Sequence, residues 1–130
     1  MKLTNKDKEL VNIARGILNP KKLYGGESGT TSCALRTKKG KIFTGISLDL
    51  FCGIGFCAEH SAISNMISHS REIEIEAIVA VQKRRPIAPC GRCRELIKLI
   101  NKKNLKNTWI IISNNKKSKL NTLLPKDWIR

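Results

Sequence analysis

Residues 57–100 read CAEHSAISNMISHSREIEIEAIVAVQKRRPIAPCGRCRELIKLI, and this stretch decides the fold. Apolar residues recur at helical spacing over residues 57–68 and again from residue 90 onward. Between these helices, residues 75–81 form a mostly apolar, β-branched run, which is typical of a strand covered on both faces. The order helix, strand, helix predicts an α/β domain.

The flanking sequence extends this pattern in both directions. An apolar stripe predicts a first helix over residues 5–18, and Pro20 ends it because the residue before a proline avoids the helical region. Four more strands are predicted at residues 31–36, 41–48 and 108–113 and near residue 119. Loops rich in glycine or proline are predicted at residues 25–29, 52–56 and 86–89. The chain is therefore predicted to be one domain, residues 1–130, with three α/β/α layers and a mixed five-stranded sheet.

Composition bounds the function. The formal net charge of +15 favours contact with phosphates or other anions. The basic residues are spread along the chain, however, and six aromatic residues leave few stacking platforms for single-stranded nucleic acid. Abundant lysine is therefore the preferred explanation of the charge. A polar N-terminus and the absence of a long apolar run predict a cytoplasmic protein without a membrane segment.

The five cysteines indicate metal chemistry rather than disulfides. Their number is odd and no signal peptide precedes them, whereas secreted disulfide frameworks use even numbers. In a reducing compartment, clustered cysteines more often bind metal or react. The five positions are Cys33, Cys52, Cys57, Cys90 and Cys93.

Three of these cysteines have the arrangement of a zinc site. Cys90 and Cys93 lie three residues apart at a predicted helix start, so both sulfurs share one face of the first turn. Cys57 begins another predicted helix, and helix N-termini favour thiolates over thiols. Three sulfur ligands leave the fourth tetrahedral position open, which is typical of a catalytic zinc. Glu59 is close enough in sequence to move protons there without binding the metal.

The combination of motifs resembles the cytidine deaminase family in its three-cysteine form, and most closely the blasticidin S deaminase branch. The resemblance covers residues 30–128. The segments that carry it are Lys41-Ile42-Phe43-Thr44-Gly45, Cys57-Ala58-Glu59, Pro89-Cys90-Gly91-Arg92-Cys93-Arg94 and Leu123-Leu124-Pro125. The resemblance implies Zn²⁺ on the three cysteines, Glu59 as catalytic acid and base, and a homotetramer. The implied reaction is hydrolytic removal of the exocyclic amine of a cytidine-like nucleoside or analogue, with release of ammonia.

Four further positions are candidate site residues. The family usually places an arginine after the catalytic glutamate, where this chain has His60. We therefore expect Arg92 to offset the negative charge of three thiolates, with Arg94 also close enough to donate to a sulfur. Ala58 lies between Cys57 and Glu59. Trp128 either closes over a substrate of the same or a neighbouring subunit or is buried in the core or in an interface.

The ribose-binding pattern of the family is missing from its matching positions. The N-x-E strand motif is replaced by Ile46-Ser47-Leu48, and a phenylalanine that packs on the pyrimidine is matched by Gly29. Asp49 either substitutes for the lost carboxylate or is merely solvated. The substrate therefore stays open between cytidine or deoxycytidine and a blasticidin S type of analogue.

Two other functions remain open. A polynucleotide cytosine or adenine deaminase would use the basic surface together with aromatic residues near Glu59. A non-catalytic zinc-stabilised binding module would instead have a closed site, with Cys33 or Cys52 as the fourth ligand.

Overall fold

A computed structural model describes residues 1–129, in which helices and strands follow one another along the chain. Helices α1 to α5 span Asn5–Ile17, Ala58–Ser70, Gly91–Ile100, Asn104–Asn107 and Leu120–Leu123. Strands β1 to β7 span Lys21–Leu23, Gly26–Thr37, Ile42–Leu50, Ile75–Gln82, Arg85–Ile87, Trp109–Ile111 and Lys117–Lys119. A short 3-10 helix, Phe51–Gly53, follows β3. None of the helices within residues 1–129 has the length and apolar character that a membrane-spanning segment needs.

The sheet is mixed and five strands wide, in the order β3, β2, β4, β6 and β7. β4 and β6 are parallel, and the other neighbouring strands are antiparallel. The sheet has seven strands rather than the predicted five, because two short strands, β1 and β5, also pair within it. β1 pairs with the start of β2, beyond the residues that pair with β4. β5 pairs with the end of β4, beyond the residues that pair with β6.

Two predicted loops belong to strands. Residues 26–29 begin β2, which bulges between Ser28 and Ser32 before it continues to Thr37. Residues 85–87 form β5, because the turn at Lys83 and Arg84 has positive φ at both positions and reverses the chain in two residues. Such turns usually carry glycine or asparagine, so the lysine–arginine pair concealed this hairpin in the sequence.

Helices cover both faces of the sheet, which confirms the three-layer α/β/α arrangement. α1 covers one face and buries Leu10, Val11 and Ala14 against strand residues such as Val79 and Ile111. α2 and α3 cover the other face. Their buried side chains pack with strand residues in one core cluster that includes Ala62, Ile63, Met66, Ile97, Leu35 and Ile78. β4 is thus buried on both faces, as its apolar sequence predicts.

α2 lies unusually close to β3, and Gly45 makes this approach possible. A Cβ atom at Gly45 would stand 2.3 Å from the backbone nitrogen of Ala62 and 2.6 Å from Cβ of Ser61. Only glycine fits in this space. The contact fixes the height of α2 over the sheet and thereby the position of the helix start that carries Cys57 and Glu59.

Candidate metal centre

Three cysteine sulfurs meet where α2 and α3 begin. Cys57 is the N-cap residue of α2, Cys90 is the N-cap residue of α3, and Cys93 lies in the first turn of α3. The Sγ atoms of Cys57 and Cys90 are 3.9 Å apart, and those of Cys90 and Cys93 are 3.6 Å apart. All three sulfurs lie within 4.8 Å of one another. The structure therefore brings together the three predicted ligands.

These spacings fit a zinc ion. A tetrahedral ion with zinc–sulfur bonds of about 2.3 Å holds two sulfurs about 3.8 Å apart. Both measured separations lie within a few tenths of an ångström of this value. Thiolates are also the soft ligands that zinc prefers. The donor set thus fits Zn²⁺ and leaves one tetrahedral position for another group.

The helix starts supply positive potential at the sulfurs. Cys57 and Cys90 are the N-cap residues of α2 and α3, and helix N-termini carry a partial positive charge. Burial alone would raise the pKa of Cys90, but hydrogen bonds that include the backbone N–H groups of Cys93 and Arg92 bring it below its ordinary value. Burial raises the pKa of Cys57 and of Cys93. Cys90 is therefore the thiol most readily ionised.

Glu59 lies in the first turn of α2 and is 4% exposed. Burial raises its pKa, and hydrogen bonds from its own backbone N–H and from Cys93 oppose this rise only in part. A carboxyl group with a raised pKa can both accept and return a proton near neutral pH. This is the property that a proton shuttle needs.

Cys57, Cys90 and Glu59 line one cavity of about 600 Å³, whereas Cys93 is buried next to Cys90 and does not line it. Its wall is built from the end of β3, the 3-10 helix, the start of α2, the end of β5 and the start of α3. Ala58 lines it beside Glu59, and Arg92 lines it beside Cys90. The cavity is therefore large enough for a nucleoside-sized molecule that reaches the metal centre.

Arg94 does not donate to a sulfur, contrary to expectation. Its Nε donates to the carbonyl oxygen of Pro89 at 2.8 Å, and its Nη1 donates to that of Leu123 at 3.0 Å. The guanidinium group thereby ties the loop before Cys90 to the C-terminal segment. Arg94 supports the metal centre through the backbone rather than through the ligands.

His60 and Trp128 lie outside this cavity. His60 lines a groove between α2 and α3, beside Ile67 and Leu96, where burial and the charge of Arg92 lower its pKa. Trp128 is 69% exposed, donates through Nε1 to the carboxylate of Glu95, and stacks on Lys98 with 5.2 Å from Nζ to the ring centroid. Trp128 therefore lies against α3 and does not line the cavity of its own chain.

The two remaining cysteines lie away from the cluster. Cys33 is fully buried on β2, and Cys52 is exposed in the 3-10 helix. Within residues 1–129, the group of side chains that could hold a metal ion contains only Cys57, Cys90 and Cys93. The fourth cysteine ligand that a closed structural site requires is thus not supplied by the described residues.

The sequence left the role of Asp49 open, and the structure places Asp49 in the cavity wall. Ser47 and Asp49 line the cavity, whereas Ile46 does not. Residues two apart on a strand share a face, so a count along β3 in steps of two would have placed Ser47 and Asp49 together.

Comparison with known proteins relates this chain to one family. Residues 4–107 match the model of the cytidine and deoxycytidylate deaminase zinc-binding region. The blasticidin-S deaminase of Bacillus cereus is 31% identical over 105 residues, which make up 73% of each chain. The solved cytidine deaminase of Mycobacterium leprae has a TM-score of 0.77 at 24% identity, covering 95% of this chain and 100% of its own. That of Burkholderia pseudomallei has a TM-score of 0.74 at 25% identity, covering 97% and 100%.

Proposed function

The chain belongs to the family of cytidine and deoxycytidylate deaminases, and from this premise we propose that it hydrolyses the exocyclic amine of a cytosine nucleoside or nucleoside analogue. The observation that carries the proposal is a cluster of three cysteine sulfurs at the wall of a cavity that the buried Glu59 also lines. This donor set, with Cys57, Cys90 and Cys93 as ligands, supports zinc as the cofactor.

The metal and the protein have separate tasks. When bound, zinc supplies the Lewis acidity that makes water nucleophilic near neutral pH. The protein holds the ligands at two helix starts, so their geometry is set before the metal arrives. The apolar part of the cavity wall, which includes Leu48 and Phe56, limits the access of other water molecules to the reacting ring.

Glu59 moves the protons of the reaction. Its carboxylate accepts a proton from water while the oxygen bonds to the ring carbon that bears the amine. The same carboxyl group delivers that proton to the adjacent ring nitrogen. It then transfers the second proton of the water to the amine as the carbon–nitrogen bond breaks and ammonia leaves. One water molecule is consumed, and the amine-bearing carbon becomes a carbonyl.

The reaction is tested by measuring ammonia release from a panel of compounds. The panel contains cytidine, deoxycytidine, cytosine, blasticidin S and short single-stranded DNA. We expect the zinc-loaded protein to act on a nucleoside or on blasticidin S, and the Glu59→Gln variant to lose about 10²- to 10⁴-fold in kcat while it retains zinc. Robust turnover by Glu59→Gln, or no turnover of any member by the native chain, contradicts the proposal.

We also propose a homotetramer, as the family resemblance implies. Several large apolar side chains stay exposed on the single chain, near the cavity and in the groove between α2 and α3: Phe51, Ile54, Phe56 and Ile67. Burial of such a surface against other copies is favourable. Sedimentation equilibrium should give four times the mass of the chain, and Ile67→Glu should dissociate the assembly whereas Asn121→Glu should not. A monomeric native protein contradicts this proposal.

A further inference from the structure

Three segments of the chain that contain no acidic residue meet at one end of the sheet. They are the end of α1, the turn between β4 and β5, and the turn between β6 and β7, which lie within residues 10–26, 77–94 and 96–126. Arg15 on α1 joins all three. Its Nε donates to the carbonyl oxygen of Arg84 at 2.9 Å, and its Nη2 donates to Oδ1 of Asn114 at 2.5 Å. Basic residues that are far apart in sequence are thereby neighbours in the fold.

The cations at this end form a surface that we call the basic edge. Its members are Arg15, which is half-buried, and four exposed residues, Lys83, Arg84, Arg85 and Lys116. None of them has a carboxylate partner within 4.0 Å among residues 1–129. At the opposite end of the sheet, Lys38 and Lys103 both pair with Glu74. The positive charge is thus partly neutralised at one end and uncompensated at the other.

The turn between β4 and β5 carries its two cations against the preference of its backbone. Lys83 has a φ of 50° and Arg84 has a φ of 65°. Asparagine and glycine form such a turn at a lower free-energy cost than other residues. A neutral pair would therefore fold more easily here than this lysine–arginine pair. Strain of this kind is typical of positions at which the side chains have a function.

The basic edge is separate from the cavity at the metal centre. Arg15, Lys83 and Arg84 do not line that cavity. Arg15 lies on α1, which covers the face of the sheet opposite to α2 and α3. A molecule bound at the basic edge therefore does not have to enter the cavity, and its binding can be measured independently of the reaction.

The residues around these cations favour one class of polyanion. Residues 10–20, 81–85 and 112–116 contain no aromatic residue and none of the exposed large apolar side chains. A single strand is usually held by aromatic stacking on its bases, and a lipid surface by inserted apolar side chains. A duplex stacks its bases internally and presents phosphates, for which cations and amide donors are sufficient. Gln82 and Asn115 are exposed amides at the same turns.

We propose that the basic edge binds the phosphate backbone of a nucleic-acid duplex, independently of base sequence. Lys83, Arg84, Arg85 and Lys116 contact phosphates, and Arg15 holds the two turns in place. The duplex is a partner of the protein and not its substrate. In sequence these cations are spread along the chain, and it is the fold that brings them together at one end. The inference does not depend on the proposed deaminase function.

The test measures binding of a fluorescein-labelled DNA duplex by anisotropy at several salt concentrations. An RNA duplex of the same sequence, the labelled single strand and phosphatidylglycerol vesicles are the other probes. The edge variant is Lys83→Gln/Arg84→Gln. Its matched control, Lys38→Gln/Lys39→Gln, removes two cations from the turn between β2 and β3 at the opposite end of the sheet, so both variants have the same net charge. Lys83→Asn/Arg84→Gly places the favoured turn residues at the edge.

We expect the native protein to bind a duplex with an affinity that falls steeply with salt, with a log–log slope of about −4 for five cations. The edge variant should lose about 10- to 100-fold in affinity at 0.1 M salt and about two units of this slope. The control should change by less than about threefold. Lys83→Asn/Arg84→Gly should bind as weakly as the edge variant while its Tm equals or exceeds that of the native protein, because turn strain is relieved. This variant separates lost binding from misfolding.

The outcomes also separate this inference from the proposed function. Equal losses in the edge variant and its control, or tighter binding of the single strand or of vesicles than of either duplex, overturn the proposal. Binding of at least one duplex that depends on Lys83 and Arg84 supports it, and the DNA and RNA arms show which duplex is preferred. Ammonia release by the edge variant should match that of the native protein. Loss of deaminase activity in the native protein would leave the binding result unchanged.

Discussion

Asp7 is a buried charged residue that stabilises the fold through two ion pairs. Asp7 is 1% exposed, accepts a hydrogen bond from Lys117 at 2.7 Å, and forms an ion pair with Arg36 at 3.2 Å. It also completes the capping box of α1 with Thr4. One carboxylate thereby joins α1 to β2 and β7. Loss of this charge should therefore weaken the attachment of α1 to β2 and β7.

We predict that Asp7→Asn lowers the free energy of unfolding by about 3 kcal/mol at neutral pH, because Lys117 loses its buried partner. Burial alone would raise the pKa of Asp7, but hydrogen bonds from Lys117 and Thr4 hold it below 3.8. The native protein should therefore lose this stability as the pH falls below about 4, and the variant should not. Urea unfolding at several pH values checks this, with Glu9→Gln as the control. Parallel pH profiles of native and variant protein contradict it.

Arg92 is the second residue whose charge should matter. Three thiolates around Zn²⁺ leave a formal charge of −1, which the guanidinium group of Arg92 offsets from within the cavity. Arg92→Ala should lower kcat about tenfold at neutral pH and shift the pH–rate profile to higher pH, because a nearby positive charge favours loss of a proton. Zinc content should be unchanged, and Arg92→Lys should retain the native profile. Full activity with an unchanged profile refutes this role.

Among the elements, the pair α2 and β3 determines where Glu59 lies. The pair is in contact at Gly45, where any side chain would collide with the backbone of α2. The start of α2 carries both Cys57 and Glu59. A displacement of the helix therefore moves Cys57 and Glu59 together.

We predict that Gly45→Ala lowers the free energy of unfolding by about 1–3 kcal/mol and also lowers kcat, because the collision can be relieved only by moving α2 away from the sheet. Gly16→Ala is the matched control, since a Cβ atom there meets nothing within 4 Å and alanine favours the helix by about 0.5–1 kcal/mol. Urea denaturation and ammonia release measure the two effects. An active, fully stable Gly45→Ala protein contradicts the prediction.

The helices and strands also show which parts of the fold could be predicted from the sequence. Periodicity predicted α1, α2, α3 and β4 within about two residues, because each has an apolar face that packing preserves. The three-residue strands β1 and β5 were missed, since they are too short to show alternation. The sulfur cluster was predictable because its ligands occupy helix starts that the sequence marks. Asp49 was ambiguous because the predicted strand ended at residue 48, whereas β3 continues to Leu50.

At the scale of the whole molecule, zinc acts as a link between separate parts of the chain. Cys57 lies before β4 in sequence, whereas Cys90 and Cys93 lie after β5. A shared ion therefore connects two helices that otherwise meet mainly through the core beneath them. Metal binding should stabilise the folded state because the unfolded chain does not bring these sulfurs together.

We predict that a chelator lowers Tm by about 10–20 °C, as expected when a ligand present far above its Kd is removed from a domain of this size. Cys90→Ser should melt at the temperature of the chelated native protein and contain no stoichiometric zinc. Cys52→Ser alters an exposed cysteine outside the cluster and should leave both properties unchanged. Differential scanning calorimetry measures Tm, and metal analysis measures the zinc content. An unchanged Tm after complete zinc removal contradicts the prediction.

The separations of 3.6 and 3.9 Å between the sulfurs also have a redox consequence. Thiols this close are a short side-chain rotation from a disulfide, which forms when an oxidant such as peroxide removes two electrons and two protons from the pair. Bound metal blocks this reaction by engaging the sulfur lone pairs. Once the ion is lost under oxidising conditions, a disulfide would prevent its return until a reductant restores the thiols. The capacity of the three cysteines to bind zinc thus depends on whether they are reduced or oxidised.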